Sequence, residues 1–218
     1  MITAFANDAV LFLPVLLKGL LTTILLTLSA LAFSLVGGLM LAMLGMHRSV
    51  FVRAISVVII NTVRGIPIIV QLFFVYFVLP ELGVSLPPFA AGVMGLGIAY
   101  SVYQAENFRG GFASVDRQLH EAGRSLGMSE RLLFRRVIAP LGIRTALPSF
   151  GNTTVMMLKD SSIASTITIA ELTRAGQLLA ISTFKNGSVY TLIALLYLAA
   201  SLPLAAGVRA LERRYARS

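Results

Sequence analysis

Residues 17–44 form a run of 28 residues whose single charge, Lys18, stands at its start. About 20 mostly apolar residues match the hydrocarbon thickness of a bilayer. In hydrocarbon every backbone N–H and C=O must be paired within the protein, so such a run is restricted to helix. Its Thr and Ser hydroxyls bond back to the preceding turn and do not spoil it. The rest of the chain agrees. Of its 218 residues 57% are hydrophobic and 12% charged, against about 25% charged in soluble domains. That supply of charge cannot coat a water-facing surface, and an all-α, polytopic membrane protein is expected.

Four further apolar runs bring the expected count to about five transmembrane helices. They are 54–79, interrupted by VRGIP at 63–67; 89–105; 147–170, with LKDSS inside it; and 189–208. Residues 80–88 form a proline-rich turn and 171–188 a polar connection. The whole chain, 1–218, reads as a single transmembrane domain, with 106–146 as a charged loop inside it. The segment ahead of Lys18 lacks a basic start and a small-residue cleavage site, so no cleavable signal is expected. An odd number of spans puts the termini on opposite sides. One side collects Arg48, Arg53, the arginines of the 106–146 block and Arg209 to Arg217; the other holds Lys18, Arg174 and Lys185. Cytoplasmic loops gather Lys and Arg, so the N-terminus is expected outside and the C-terminus in the cytoplasm. The same rule accounts for the formal charge of +9 without nucleic acid. The two halves show no internal repeat, which argues against a paired-repeat carrier. Five helices are few to enclose a solute path, and a dimer with the path between subunits would solve that.

The chain has no cysteine, which excludes disulfides, thiolate metal sites and cysteine nucleophiles. His47 and His120 are far apart and have no companion ligands, so no metal site is expected. Asp160 is the one intramembrane aspartate candidate, too few for an aspartyl protease pair. Ser161, Ser162 and Ser165 read as helix-packing groups. A P-loop GxxxxGK[ST] is absent, so no nucleotide site is expected in this chain.

The charged loop is built for order. Residues 116–126 suit a helix, Gly127 supplies a left-handed stop, Ser129 is placed to cap a second helix over ERLLFRRVI, and Pro140 is expected to end it. A short amphipathic pair of this kind either lies on the membrane surface or fills a groove on another protein.

Here the sequence resembles the cytoplasmic EAA signature of ABC-importer membrane subunits. Glu121 and Ala122 match it, Gly123 stands for its second Ala, and Gly127 follows at the signature's spacing. Val137 and Ala139 stand for its Ile and Leu, ahead of Pro140 in register. NTVRGIPIIVQL (61–72) is similar to the RGTPLLVQL segment of polar amino-acid importers. AYSVYQAENFRGG (99–111) is similar to their AYxAExxRGG, and LKDSS (158–162) to their LKDTSL; IAELTRAG (169–176) also fits.

The chain thus resembles the permease subunit of a type I, polar amino-acid (histidine, arginine, glutamine, glutamate) ABC importer. The resemblance implies a second, identical or similar permease subunit and an ABC ATPase subunit dimer, which would bind the ATP and Mg. It also implies an extracytoplasmic substrate-binding protein, a polar amino acid as cargo, contact with membrane lipid, and a place in the bacterial inner or plasma membrane. On this reading Glu121, Ala122, Gly123, Ser125, Leu126, Gly127, Met128, Ser129 and Pro140 couple to the ATPase, with Glu121 bonding a donor of the partner. A stand-alone ion-coupled amino-acid carrier is the alternative.

Charges inside a bilayer cost about 2.5–3.5 kcal/mol each on insertion scales, so those within the runs need a purpose. Asn61, Arg64, Gly65, Pro67, Gln71, Lys159, Asp160 and Ser161 are candidates to line the solute path. Gly65 and Pro67 break the second span, which exposes backbone groups. Arg64 is placed to pair Asp160 across helices, and Glu106 to pair Arg109 three residues on. Relatives often carry Glu where Asn61 stands. In arginine-type members that Glu and the aspartate of LKDTSL are suggested to hold a cationic side chain, so the exchange favours a neutral or acidic cargo.

Overall fold

The computed structural model describes residues 2–215; Arg217, counted above with the basic tail, lies outside them. Every regular element among the described residues is helical. The first apolar run is the middle of α1 (Ile2–Gly45), which takes in the residues before Lys18 as well. Its 44 residues rise about 66 Å at 1.5 Å each, more than a bilayer's full thickness of about 40–45 Å. The next run is not one span. α2 (Val50–Gly65) and α3 (Ile68–Phe73) meet at a bend of 100°. Pro67 has no N–H to continue α2, and it biases Ile66 before it to extended backbone; Ile66 indeed lies at φ −104°, ψ 127°. A π-helical turn (Phe74–Val78) and a 3-10 turn (Leu79–Leu82) follow, closed by Gly83 at φ +88°.

α4 (Pro88–Ala113) is eight residues longer at its C-terminal end than the apolar run 89–105, and it carries the NFRGG segment as helix. The charged loop holds α5 (Arg117–Ser125) and α6 (Glu130–Leu133). α7 (Ala139–Asp160) does not take LKDSS through a membrane helix. It stops at Asp160, and a 3-10 segment, Ser161–Ile167, runs to Thr168 in the left-handed region at φ 66°. The expected polar connection is mostly helix, α8 (Leu172–Thr183). α9 (Asn186–Tyr215) ends the described chain. By length and composition, residues 5–45 and 186–214 are able to cross a membrane, and the bent α2–α3 pair makes a third candidate.

α4 is the central post. α1 and α7 pack on it, α9 lies on α7, and α8 fills the space between α1 and α9. Small residues let these helices approach closely, the usual device where lipid removes the hydrophobic drive between helices. A Cβ on Gly38 of α1 would lie 2.5 Å from the Gln104 Cβ and 2.9 Å from the Ala105 nitrogen. A Cβ on Gly111 would lie 2.3 Å from the carbonyl oxygen of Gly142, so α4 and α7 touch backbone to backbone. α2 leans on α1 through Ser56, whose hydroxyl donates to the Leu41 carbonyl at 2.8 Å; most of its other side chains are exposed.

At the end of the bundle near the start of α1, polar side chains tie the elements. The Asp8 carboxylate pairs with Lys185 and accepts from the Ser188 hydroxyl. Glu171 is fully buried and caps α8: its carboxylate accepts from the Thr173 and Arg174 nitrogens at 2.9 and 2.7 Å and from the Tyr197 hydroxyl at 2.9 Å. Thr23 of α1 accepts from the Leu172 nitrogen at 3.1 Å. One glutamate so joins α8 and α9 beside α1.

Gly111→Val is expected to destabilise the fold by about 1–3 kcal/mol, as overpacking does, because its neighbour is backbone and cannot rotate away. A lowered thermal midpoint of the purified protein in detergent, with Gly110→Val (open space around its Cβ) changing it far less, checks this.

Candidate functional site

The loop between α4 and α7 is tightly determined. Asp116 caps α5, its Oδ1 accepting from the Gln118 nitrogen at 2.9 Å. At the other end Met128 N bonds Gly123 O (3.1 Å) and Gly127 N bonds Arg124 O (2.9 Å). This is a Schellman close, and Gly127 supplies its left-handed residue at φ +72°. Ser129 caps α6 as expected: its Oγ accepts from the Leu132 nitrogen at 3.4 Å. Arg124 reaches over the turn to Glu130 at 2.8 Å. The glycine at the second Ala position of the signature has a steric reason. A Cβ on Gly123 would lie 2.5 Å from Leu133 Cδ1, and Leu133 is fully buried. α6 therefore rests directly on the α5 backbone.

Pro140 does not end the second helix. The chain passes from α6 through a π-helical turn (Phe134–Ile138) into α7, and Pro140 stands in the first turn of α7. Ala139 N bonds Phe134 O, five residues back. The widened turn leaves room for the proline ring and does without the N–H it lacks. The same turn anchors the loop to the bundle: Phe134 meets Phe112 edge-on at 5.2 Å between ring centroids, and Leu133 and Ile138 pack with Phe108, Phe112 and Ala42.

What remains outward is the tip. Ala122, Ser125, Gly127 and Ser129 are exposed, Met128 is half-buried, and Leu126 is 82% exposed. Glu121 pairs with Arg117 one turn back at 3.1 Å, both in solvent. Such a pair is worth about 0.3–0.5 kcal/mol, so little holds Glu121 to it.

The candidates inside the bundle fall into two groups. Arg64, Gly65, Pro67 and Gln71 share the elbow between α2 and α3, with Asn61 exposed one turn before it. Lys159, Asp160 and Ser161 stand where α7 ends: Lys159 is exposed, Asp160 partly buried, and Ser161 fully buried with its hydroxyl on the Leu158 carbonyl (2.7 Å). The expected Arg64–Asp160 pair is not formed. Asp160 accepts from the Tyr100 hydroxyl at 2.7 Å. Arg64 lies 4.0 Å from Glu106 and stacks over the Tyr103 ring at 5.6 Å. Glu106 also takes Arg109, the expected partner, at 3.0 Å.

Two tyrosines that the sequence reading passed over connect the groups. The Tyr100 and Tyr103 rings lie 5.6 Å apart, so Arg64, Tyr103, Tyr100 and Asp160 form a continuous row. A signal was present: two tyrosines three apart share a helix face, in a span whose other polar side chains are Ser101 and Gln104. Leu72 and Val75 beyond the elbow, Tyr100, Met157 and Ile167 belong to one buried cluster, so the elbow and the end of α7 share a core.

The helical bundle, its broken span and the capped loop at one end are those of a membrane transport subunit. The chain belongs to the family of binding-protein-dependent transport system inner membrane components, which matches it over residues 34–217. It is 35% identical over 204 residues to a probable amino-acid ABC transporter permease protein, y4tG, of Sinorhizobium fredii, across 94% of this chain and 88% of that one. It is equally 35% identical to the glutamine transport system permease protein GlnP of Escherichia coli, across 93% of both. A crystal structure of an amino acid ABC transporter with histidines superposes at a TM-score of 0.89 with 35% identity, covering 95% of this chain and 97% of that one. The MetNI methionine transporter in an inward-facing form superposes at 0.71 with 19% identity, covering 91% and 97%, and shares the fold.

Tyr100→Phe removes a hydrogen bond to a carboxylate and is expected to cost about 1.5–3 kcal/mol. Tyr103→Phe keeps the ring under Arg64 and should be close to neutral. Chemical unfolding of the two variants in detergent, compared with the parent, separates them.

Proposed function

We propose that this permease subunit carries a polar amino acid inward across a bacterial inner or plasma membrane, driven by ATP hydrolysis in a separate ATPase dimer. The single observation that carries the reading is the loop tip. Leu126 is 82% exposed on a turn fixed by a Schellman close, a serine cap and an Arg124–Glu130 bridge. A rigid apolar knob in water suits a groove on a partner protein. Glu121, Ala122, Ser125, Leu126, Gly127, Met128 and Ser129 are the contact, with Gly123 seating α6 beneath them and Glu121 exchanging Arg117 for a donor on the ATPase.

In this reading the chain passes the membrane five times, N-terminus outside and loop in the cytoplasm. The loop's arginines support that orientation. A second permease subunit completes the path, and a substrate-binding protein delivers cargo to the outer face. ATP and Mg bind the ATPase, whose closure moves the knob. The buried contacts of Leu133 and Phe134 pass the motion to α4 and α7. Asn61, Arg64, Gly65, Pro67, Gln71, Lys159, Asp160 and Ser161 lie along the route, the first five at the elbow and the last three at the end of α7. Relatives named for amino-acid and glutamine transport support the cargo class. A carrier working alone is not favoured, because the family is that of inner membrane components of binding-protein-dependent transport systems.

In membrane vesicles holding the assembled complex, Ser129→Cys is expected to cross-link to the ATPase subunit with a short bifunctional reagent, and failure to capture it would refute the coupling role. Leu126→Asp should leave the protein in the membrane and cut ATP-driven amino-acid uptake about tenfold or more, as loss of a central apolar anchor does.

A further inference from the structure

The exposed side of α1 gauges its own depth in a bilayer. Leu21, Leu25, Leu28, Val36, Leu39 and Met43 recur at helical spacing, and all are exposed. From first to last they span about 33 Å at 1.5 Å per residue, the hydrocarbon thickness of about 30 Å with a slight tilt. His47 and Arg48 follow at one end. At the other end Lys18 stands on the same face, three residues before Leu21, and is exposed. That places its ammonium at headgroup level, in the leaflet at the start of α1.

Lys18 has no counter-charge on the chain. All 9 Asp and Glu lie among the described residues, and none of them pairs with it. Lys185, at the same end of the bundle, is held by Asp8. Glu171 approaches Gly19 with its backbone only; its carboxylate is buried on the Thr173 and Arg174 amides and the Tyr197 hydroxyl. Lys18 also opens onto a groove. α1 and α8 touch where Gly19 faces Ala175, and beside that contact they leave a space of about 540 Å³. Lys18, Thr22 and Ser182 are its polar side chains, and Val15, Leu178 and Leu179 are its larger apolar ones. The Thr22 hydroxyl donates to Lys18 O at 3.3 Å and the Ser182 hydroxyl to Leu179 O at 3.1 Å, so both oxygens keep lone pairs for a ligand's donors.

We infer that the α1–α8 groove is a binding site for an anionic phospholipid, with the phosphate on the Lys18 ammonium and the first part of an acyl chain along Val15, Leu178 and Leu179. Depth selects a lipid, because a lysine at the edge of the hydrocarbon reaches into the headgroups. Charge selects its class. A zwitterionic headgroup brings a second ammonium beside that of Lys18, and the groove has no carboxylate to receive it. A headgroup with net negative charge leaves the site neutral. The inference uses the membrane placement of α1 and is independent of the cargo; in the orientation proposed above, the leaflet is the outer one.

The test counts lipids retained by the permease–ATPase complex in native mass spectrometry, after equal exposure to phosphatidylglycerol and phosphatidylethanolamine with the same acyl chains. The parent should retain more of the glycerol lipid. Lys18→Gln should lose about one molecule of it per permease chain and keep its phosphatidylethanolamine. Lys18→Arg keeps the charge and should keep the count, as should Arg174→Gln, which removes a cation of α8 that lies outside the groove. Lys18 is exposed, so these variants leave the packing intact. An unchanged count in Lys18→Gln overturns the inference, and it is the result expected if a second permease copy covers the groove instead. Equal loss of both lipids means a contact blind to headgroup charge and overturns it too. So does a loss in Arg174→Gln equal to that in Lys18→Gln, which would reduce the site to general positive charge.

Discussion

The structure depends on one rule: backbone polar groups inside a bilayer are paired by the protein or not at all. Unbroken helix satisfies the rule at no further cost, and α1 and most of α9 do so. Each departure from helix needs a dedicated group, and the candidate path residues stand at two of the departures. At the α2 break the carboxamide of Gln71 takes two freed carbonyls. At the start of α8 the buried carboxylate of Glu171 takes two freed amides. Both devices tie a local irregularity to a neighbouring element, so the broken elements are held as firmly as the straight ones.

The loop obeys the same economy in water. Solvent would satisfy its backbone, yet it is capped at Asp116, closed at Gly127 and capped again at Ser129. Such caps stabilise the loop's own helices, and they would also serve the proposed coupling to an ATPase. The helices behind the loop are joined to it through Leu133, Phe134 and Ile138, so the knob has little freedom to bend separately.

Much of this was legible in the residues alone. Composition and the 17–44 run set the class, and the turn at Gly127 and the cap at Ser129 follow from local backbone chemistry that context rarely overrides. The i,i+3 pair of Glu106 and Arg109 is legible for the same reason. What failed depended on long-range partners or on compensation. Pro140 was expected to stop a helix, but the π-helical turn just ahead of it (Phe134–Ile138) absorbs its ring and missing N–H. Arg64 and Asp160 were expected to meet because each needed a counter-charge; Glu106 and Tyr100, in the helix between, answer those needs first. Gly123 looked like a loose variant of alanine until Leu133 was seen packed on it. Glu171 read as one letter of a motif, and its place as the cap of a helix beside α1 needs the third dimension.

The close approach of Gly111 and Gly142 has a mechanical consequence. There the two backbones meet directly, flanked by the Phe112 ring and the Ala146 methyl. Gly142 lies three residues from the loop end of α7 and eighteen from Asp160, about 4.5 and 27 Å along the axis. Taken as a fulcrum, the contact would divide α7 into a short arm and a long one. A shift of the loop end would then carry Asp160 about six times as far, against the further holds of α7 on α4 at Phe108–Phe150 and Asn107–Thr153.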